Sequence, residues 1–194
     1  MIAADQDNKS ILAVQAFIDR DTDERIMAIC SELQKVEGYN SDLGGQFIPH
    51  ITLASWRVTP QELQLAESQF ESRLCGLDRI QVRVSLEESQ EHAGRLGYYL
   101  LPEVSESLLQ FHAQVHHQLG WRFEPFRKID LPGSWWPHLT LLSIPETQKP
   151  LISQSLQKLR EISAVAIKRI GLVSFLGPTR VVSEVKLKRP SSGR

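Results

Sequence analysis

The sequence predicts an α+β protein in which a β-α-β-α-β unit occurs twice and packs as two similar lobes. Three observations point there. Short β-like apolar runs alternate with segments of helical periodicity along the 194 residues. A Pro-His-apolar-Thr-Leu segment occurs at Pro49 and again at Pro137, 88 residues on, and the opening strands at Ile11 and Leu96 are displaced by a similar 85. One offset serving both pairs of elements is the mark of an internal duplication.

Residues 11–18 form the first β-like run, and Ile26, Ile29, Cys30 and Leu33 then recur at helical spacing from Asp21 to about Glu37. A glycine-containing loop over 38–46 leads to a second strand over 47–54, which carries the first histidine segment. Thr59, Pro60 and Glu62 form a capping box with proline at the first helical position, followed by the apolar series Leu63, Ala66, Phe70 and Leu74. Ile80, Val82, Val84 and Leu86 alternate with polar residues, as in a strand with one buried face.

The second half opens with an apolar run over 96–101, then Val104, Leu108, Phe111, Val115 and Leu119 mark a helix ending near Gly120. A longer loop over 121–133 leads to the strand that carries the second histidine segment. Leu151, Ile152, Leu156 and Leu159 support a last helix, and 165–175 with 181–187 read as a hairpin turned at Gly177-Pro178. The chain is expected to form one bilobal domain, with repeats over about 11–88 and 95–189 and a polar, disordered tail over 190–194.

Lys and Arg number 22 against 23 Asp and Glu, so no bulk positive field is available to hold a long duplex by counterion release. Neither cysteine belongs to a metal or disulfide pattern; Cys30 and Cys75 are expected to be buried free thiols. No apolar run approaches the ~18 residues that a membrane span needs, and residues 1–10 are polar, so a cytoplasmic monomer that engages no membrane is the default expectation.

A shuffled chain of this composition would hold about 0.2 His-x-Thr triplets, and about 0.01 with a preceding proline. Two copies at equivalent points of a repeat therefore carry information. Residues i and i+2 of a strand share a face, so His50 and Thr52 point one way while Ile51 and Leu53 point the other, and likewise His138 and Thr140 against Leu139 and Leu141. Two-fold packing would bring four polar groups to one cleft, suited to a tetrahedral anion. Two imidazoles are what attack at phosphorus needs, one to remove the nucleophile's proton and one to protonate the leaving oxygen; threonine hydroxyls can hold the non-bridging oxygens. The competing reading, core histidines beside β-favouring threonines, suits a lone copy better than a repeated one.

On these segments, His50-Ile51-Thr52-Leu53 and His138-Leu139-Thr140-Leu141, the chain resembles the two-histidine phosphoesterase superfamily, which includes 2′-5′ RNA ligases and cyclic phosphodiesterases. The resemblance implies a bilobal α+β fold with antiparallel sheets around a central cleft, catalytic His50 and His138, and substrate-binding Thr52 and Thr140. It also implies activity on nucleotides or RNA ends bearing a 2′,3′-cyclic phosphate, with 2′-5′ ligation or RNA 3′-end trimming as alternatives. A binding module without turnover is the reading from another class. No cofactor and no metal is expected.

Trp136, two residues before His138, is a candidate to stack on a base. Trp56, Arg57, Arg127 and Lys128 flank the motif segments and are candidates to contact phosphate. His112 and His116 have a spacing that can bind metal but no evident third ligand, and His92 and His117 show no pattern.

Overall fold

A computed structural model of the chain describes residues 9–33, 48–175 and 179–189. The loop over 38–46, the hairpin turn at Gly177-Pro178 and the tail over 190–194 lie outside the described residues. The first half runs β1 (Ser10–Ile18), α1 (Arg20–Leu33), β2 (His50–Val58), α2 (Pro60–Leu74) and β3 (Ile80–Glu91). The second runs β4 (Arg95–Pro102), α3 (Glu106–Leu119), β5 (Glu124–Pro125), β6 (Leu139–Pro145), α4 (Ser153–Arg160), β7 (Ala164–Ser174) and β8 (Arg180–Lys186). This is the expected α+β order, with one short strand added.

Every pairing between these strands is antiparallel, in the path β5-β2-β1-β7-β3-β4-β6, with β8 also on β7. β1 is flanked by β2 of its own half and β7 of the other; β4 is flanked by β6 of its own half and β3 of the other. Setting the two-residue β5 aside, the third strand of each half, β3 and β7, is thus exchanged. The residues of β3 from Ile80 to Arg83 pair with β7 and those from Val84 pair with β4, so one strand ties the two arms together.

Local chemistry explains most element ends. Thr59 caps α2 with the full reciprocal box: its side chain accepts from Glu62 N at 3.3 Å, and its own N–H donates to the Glu62 carboxylate at 2.8 Å. Ser105 caps α3, and Gly120 ends it in the left-handed region at φ 57°, where a side chain would be strained. Val104 precedes that cap and is exposed rather than on the helix's buried stripe. Within the described residues β2 starts at His50, after a proline that has no N–H to give the ladder, and residue 47 of the expected strand lies outside them. Cys30 is buried, whereas Cys75 is exposed, contrary to expectation, because it is the C-cap residue just past α2's apolar stripe.

The helices bury Ile26, Ile29 and Leu33 of α1, Phe70 and Leu74 of α2, and Leu108, Phe111 and Val115 of α3 against the sheet, with α1 beside α4 and α2 beside α3. Trp56 is also part of this core, with Trp121 and Phe123 edge-on at 5.4 and 6.2 Å, so it is a packing aromatic and not a phosphate contact. Phe70 is wholly buried. Phe70→Ala is expected to cost about 3–5 kcal/mol, read as a lower denaturation midpoint with little change in slope.

Candidate active site

The two histidines reach the same cleft by the same local device. His50, the first residue of β2, places its Nδ1 2.7 Å from the carbonyl of Ile48, and His138, just before β6, places its Nδ1 3.0 Å from the carbonyl of Trp136. A carbonyl can only accept, so Nδ1–H is the donor in both rings and each neutral ring's Nε2 is its unprotonated nitrogen. The cavity is about 470 Å³, in the range of small-molecule sites, and its walls include His50, Thr52, His138 and Thr140. The repeat thus brings its four motif side chains together. Neither threonine hydroxyl has a hydrogen-bond partner among the described residues.

The rings differ in their neighbours. Gln15 stands opposite Thr52 in the β1–β2 register, and its amide nitrogen lies 3.0 Å from His50 Nε2. With Nδ1 protonated, the neutral ring's Nε2 accepts from that amide. The equivalent position of β4 is Tyr99, opposite Thr140, whose ring meets His138 edge-on at 5.9 Å. Burial holds the His50 pKa down to about 4, with the charges of His138 and Arg127 adding in the same direction. His138 is also lowered, by burial first, with Arg127 again opposing its charged form.

Both motif strands carry a β-bulge at the same residue. Gln15 pairs with Thr52 but Val14 pairs with Ala54, leaving Leu53 extra; Tyr99 pairs with Thr140 but Tyr98 pairs with Leu142, leaving Leu141 extra. The added residue shifts the alternation, and Ser55 and Ser143, three beyond each threonine, also line the cleft. Each serine donates to a carboxylate: Ser55 to Asp130, and Ser143 to Glu91 at 2.5 Å. Tyr99 donates to the other Glu91 oxygen at 2.7 Å, and a Cβ at Gly97 would overlap that carboxylate. These serines went unremarked in the sequence. The signal was there, because the repeated segment extends to Pro-His-x-Thr-Leu-x-Ser in both copies.

Bulge carbonyls lack regular ladder partners, and helix side chains meet them. His112 and His116 each direct Nε2 to Leu53 O, at 2.8 and 3.0 Å, and to Asp130 O, at 3.2 Å. Burial lowers both pKa values, His112 to about 4, consistent with neutral rings donating Nε2–H. Their i,i+4 spacing therefore serves the backbone behind β2, and among the described residues no cluster suited to a metal ion is found. On the other arm Cys30 Sγ lies 4.0 Å from Leu141 O.

Trp136 lies outside β6; it stacks on His138 with centroids 4.3 Å apart and is 47% exposed. Trp135, its neighbour, is the more structural of the pair: it stacks on His112 at 4.0 Å and donates to Thr52 O at 2.9 Å. Arg57 lies over the Phe126 ring at 5.0 Å, and Lys128 is exposed. Arg127 lines the cleft.

The model of the 2′-5′ RNA ligase superfamily matches residues 17–179. Among solved structures, TT0787 of Thermus thermophilus is similar at a TM-score of 0.58 and 15% identity, over 93% of this chain and 100% of that one. Escherichia coli LigT in its apo form is similar at 0.53 and 16%, over 94% and 99%; its complex with 3′-AMP gives 0.50 and 14% over the same shares. Identities this low speak to the fold alone. No curated protein sequence is significantly similar. Among the described residues no helix is long and apolar enough to cross a membrane. With the family model spanning most of its length, the chain belongs to the 2′-5′ RNA ligase superfamily and so to the two-histidine phosphoesterases.

Proposed function

We propose that the protein hydrolyses 2′,3′-cyclic phosphodiesters of nucleotides or RNA ends by two-histidine general acid/base catalysis. The observation that carries this reading is the pair of imidazoles, each with Nδ1 tied to the carbonyl two residues back and lining one cleft beside a threonine hydroxyl that no other described residue engages. His50 is the more strongly depressed of the two, which favours it as the base that takes a proton from the attacking water. As the proton leaves, Gln15 can turn its amide over and offer its carbonyl to the charged ring. His138 then protonates the departing ribose oxygen. Thr52 and Thr140 donate to the non-bridging oxygens, where charge grows in the transition state. No step calls for a metal ion.

Complexes of the structurally similar LigT with 3′-AMP and with phosphate are compatible with a nucleotide phosphate as ligand. The family description favours one second reading, RNA 2′-5′ ligation, in which a 5′-hydroxyl replaces water and the histidines exchange roles in the reverse direction. RNA 3′-end trimming belongs to the same chemistry. A cyclic mononucleotide turned over as well as a cyclic-ended oligonucleotide supports the hydrolase; activity only on long ends supports the others.

The test is release of nucleoside monophosphate from each 2′,3′-cyclic nucleotide in EDTA. Turnover is expected, and activity that EDTA abolishes and a divalent metal restores would overturn the mechanism. The pH profile of kcat/KM reports the free enzyme's acid and base. Both imidazole pKa values are lowered, so the bell should rise near pH 4 as His50 loses its proton and fall below the ordinary histidine value of ~6.5 as His138 loses its own. An optimum above pH 7 would remove His138 from the role of acid.

A further inference from the structure

We propose that Arg127 binds and neutralises the phosphoryl group held between His50 and His138, and that Asp130 is the positioning residue that aims it. This rests on reading the cleft as a phosphoesterase site, and it adds a cation that the His-x-Thr segments do not contain.

Arg127 stands in the loop between β5 and β6 and lines the cleft. Its Nε and Nη2 fork onto the two carboxylate oxygens of Asp130 at 3.0 and 3.1 Å. A bidentate fork fixes the plane of a guanidinium as well as its place, which an ammonium cannot reproduce. The remaining guanidinium N–H groups have no protein partner among the described residues, and the Arg127 side chain is 37% exposed against 2% for Asp130. The carboxylate is thus the hidden end of the pair and the cation the end turned to the cleft.

The support behind Asp130 is elaborate for a surface loop. Ser55 donates to its carboxylate, and His112 and His116 donate to its carbonyl. Phe126 N donates to Ser55 O at 2.9 Å, and Trp135 to Thr52 O. These contacts fasten the Arg127 loop to β2 on the stretch from Thr52 to Ser55, directly or through the two α3 histidines that also reach Leu53 O, so the guanidinium and the Thr52 hydroxyl are registered to each other. The charge of Arg127 also opposes protonation of both histidines, which marks it as near both. A phosphate between the rings would offset that charge.

The two arms are unlike here. Ser143, the counterpart of Ser55, meets the cleft-lining Glu91, and Arg95 donates to Ser143 Oγ and O at 3.0 and 2.7 Å. The β2 arm thus turns a cation to the cleft and the β6 arm a carboxylate. An anion is drawn to the first.

The experiment is calorimetric titration with inorganic phosphate, which requires no turnover and so separates failure of this inference from failure of the proposed hydrolysis. Arg127→Met is expected to weaken phosphate binding by about 10- to 100-fold, the loss of a charge-assisted bond. Because Arg127→Met strands a buried carboxylate, Arg127→Met with Asp130→Asn removes the pair together and should show the same loss. Arg127→Lys, which keeps the charge without the fork, should fall between. Asp130→Asn alone should weaken binding but add nothing in the Arg127→Met background. Additive losses would make Asp130 a support of the fold and overturn its positioning role. A folded double variant that binds phosphate within twofold of the unmodified protein would overturn the assignment of Arg127.

Discussion

Replacing either His50 or His138 by alanine is expected to lower kcat/KM on a 2′,3′-cyclic nucleotide by about 10²- to 10⁴-fold, the usual contribution of a positioned acid or base. The two losses should not add. Once one proton transfer is gone the other has no partner to act with, so the double variant should be little worse than either single one. The single variants are informative because neither ring is a keystone of the core: among the described residues His50 and His138 engage a backbone carbonyl each, Gln15, the stacked ring of Trp136 and the edge of Tyr99. A single variant that is folded and keeps more than a tenth of the turnover would remove that histidine from the mechanism.

Thr52→Val and Thr140→Val should each slow kcat by about 10²- to 10³-fold, the effect of deleting one preorganised donor at a developing oxyanion. Valine keeps the β-branched shape, so the strand and its bulge are undisturbed and only the hydroxyl is lost. Serine keeps the hydroxyl and should restore most of the rate. KM should change far less than kcat, since the charge to be stabilised is greater in the transition state than in the bound substrate. Equal losses in valine and serine variants would mean that shape, not hydrogen bonding, is what these positions supply.

Periodicity made most elements legible, because each helix buries one stripe and each strand alternates. The capping box at Thr59 and the glycine stop at Gly120 were plain for the same reason: their chemistry is local. What alternation does not encode is which strand lies beside which. Val165 to Val173 has the faces of a strand whether it pairs with β3 of the first half or β1, and the exchange follows only from closing the whole sheet. The bulges were hidden similarly. Leu53-Ala54-Ser55 reads as the tail of an ordinary strand, and nothing in three residues announces that one is surplus. His112 and His116 were visible as a pair but not in purpose, since their partners, the carbonyls of Leu53 and Asp130, are distant in sequence and carry no side-chain signal. In the loop before β6 Arg127 could be marked only as one of several candidate phosphate contacts, because its pairing with Asp130 gains meaning only once Ser55 is turned toward them.

The exchange of third strands also bears on how such a molecule can arise. In a lone half the place beside the first strand would fall to that half's own third strand, whereas here each half fills it with the third strand of the other. Two half-length chains that traded this strand would form a swapped homodimer with one cleft on the dyad, lined by one histidine from each subunit. Fusion of the two genes would have freed the halves to diverge. One arm could keep glutamine beside its histidine and the other adopt tyrosine, giving two once-equivalent imidazoles unlike surroundings.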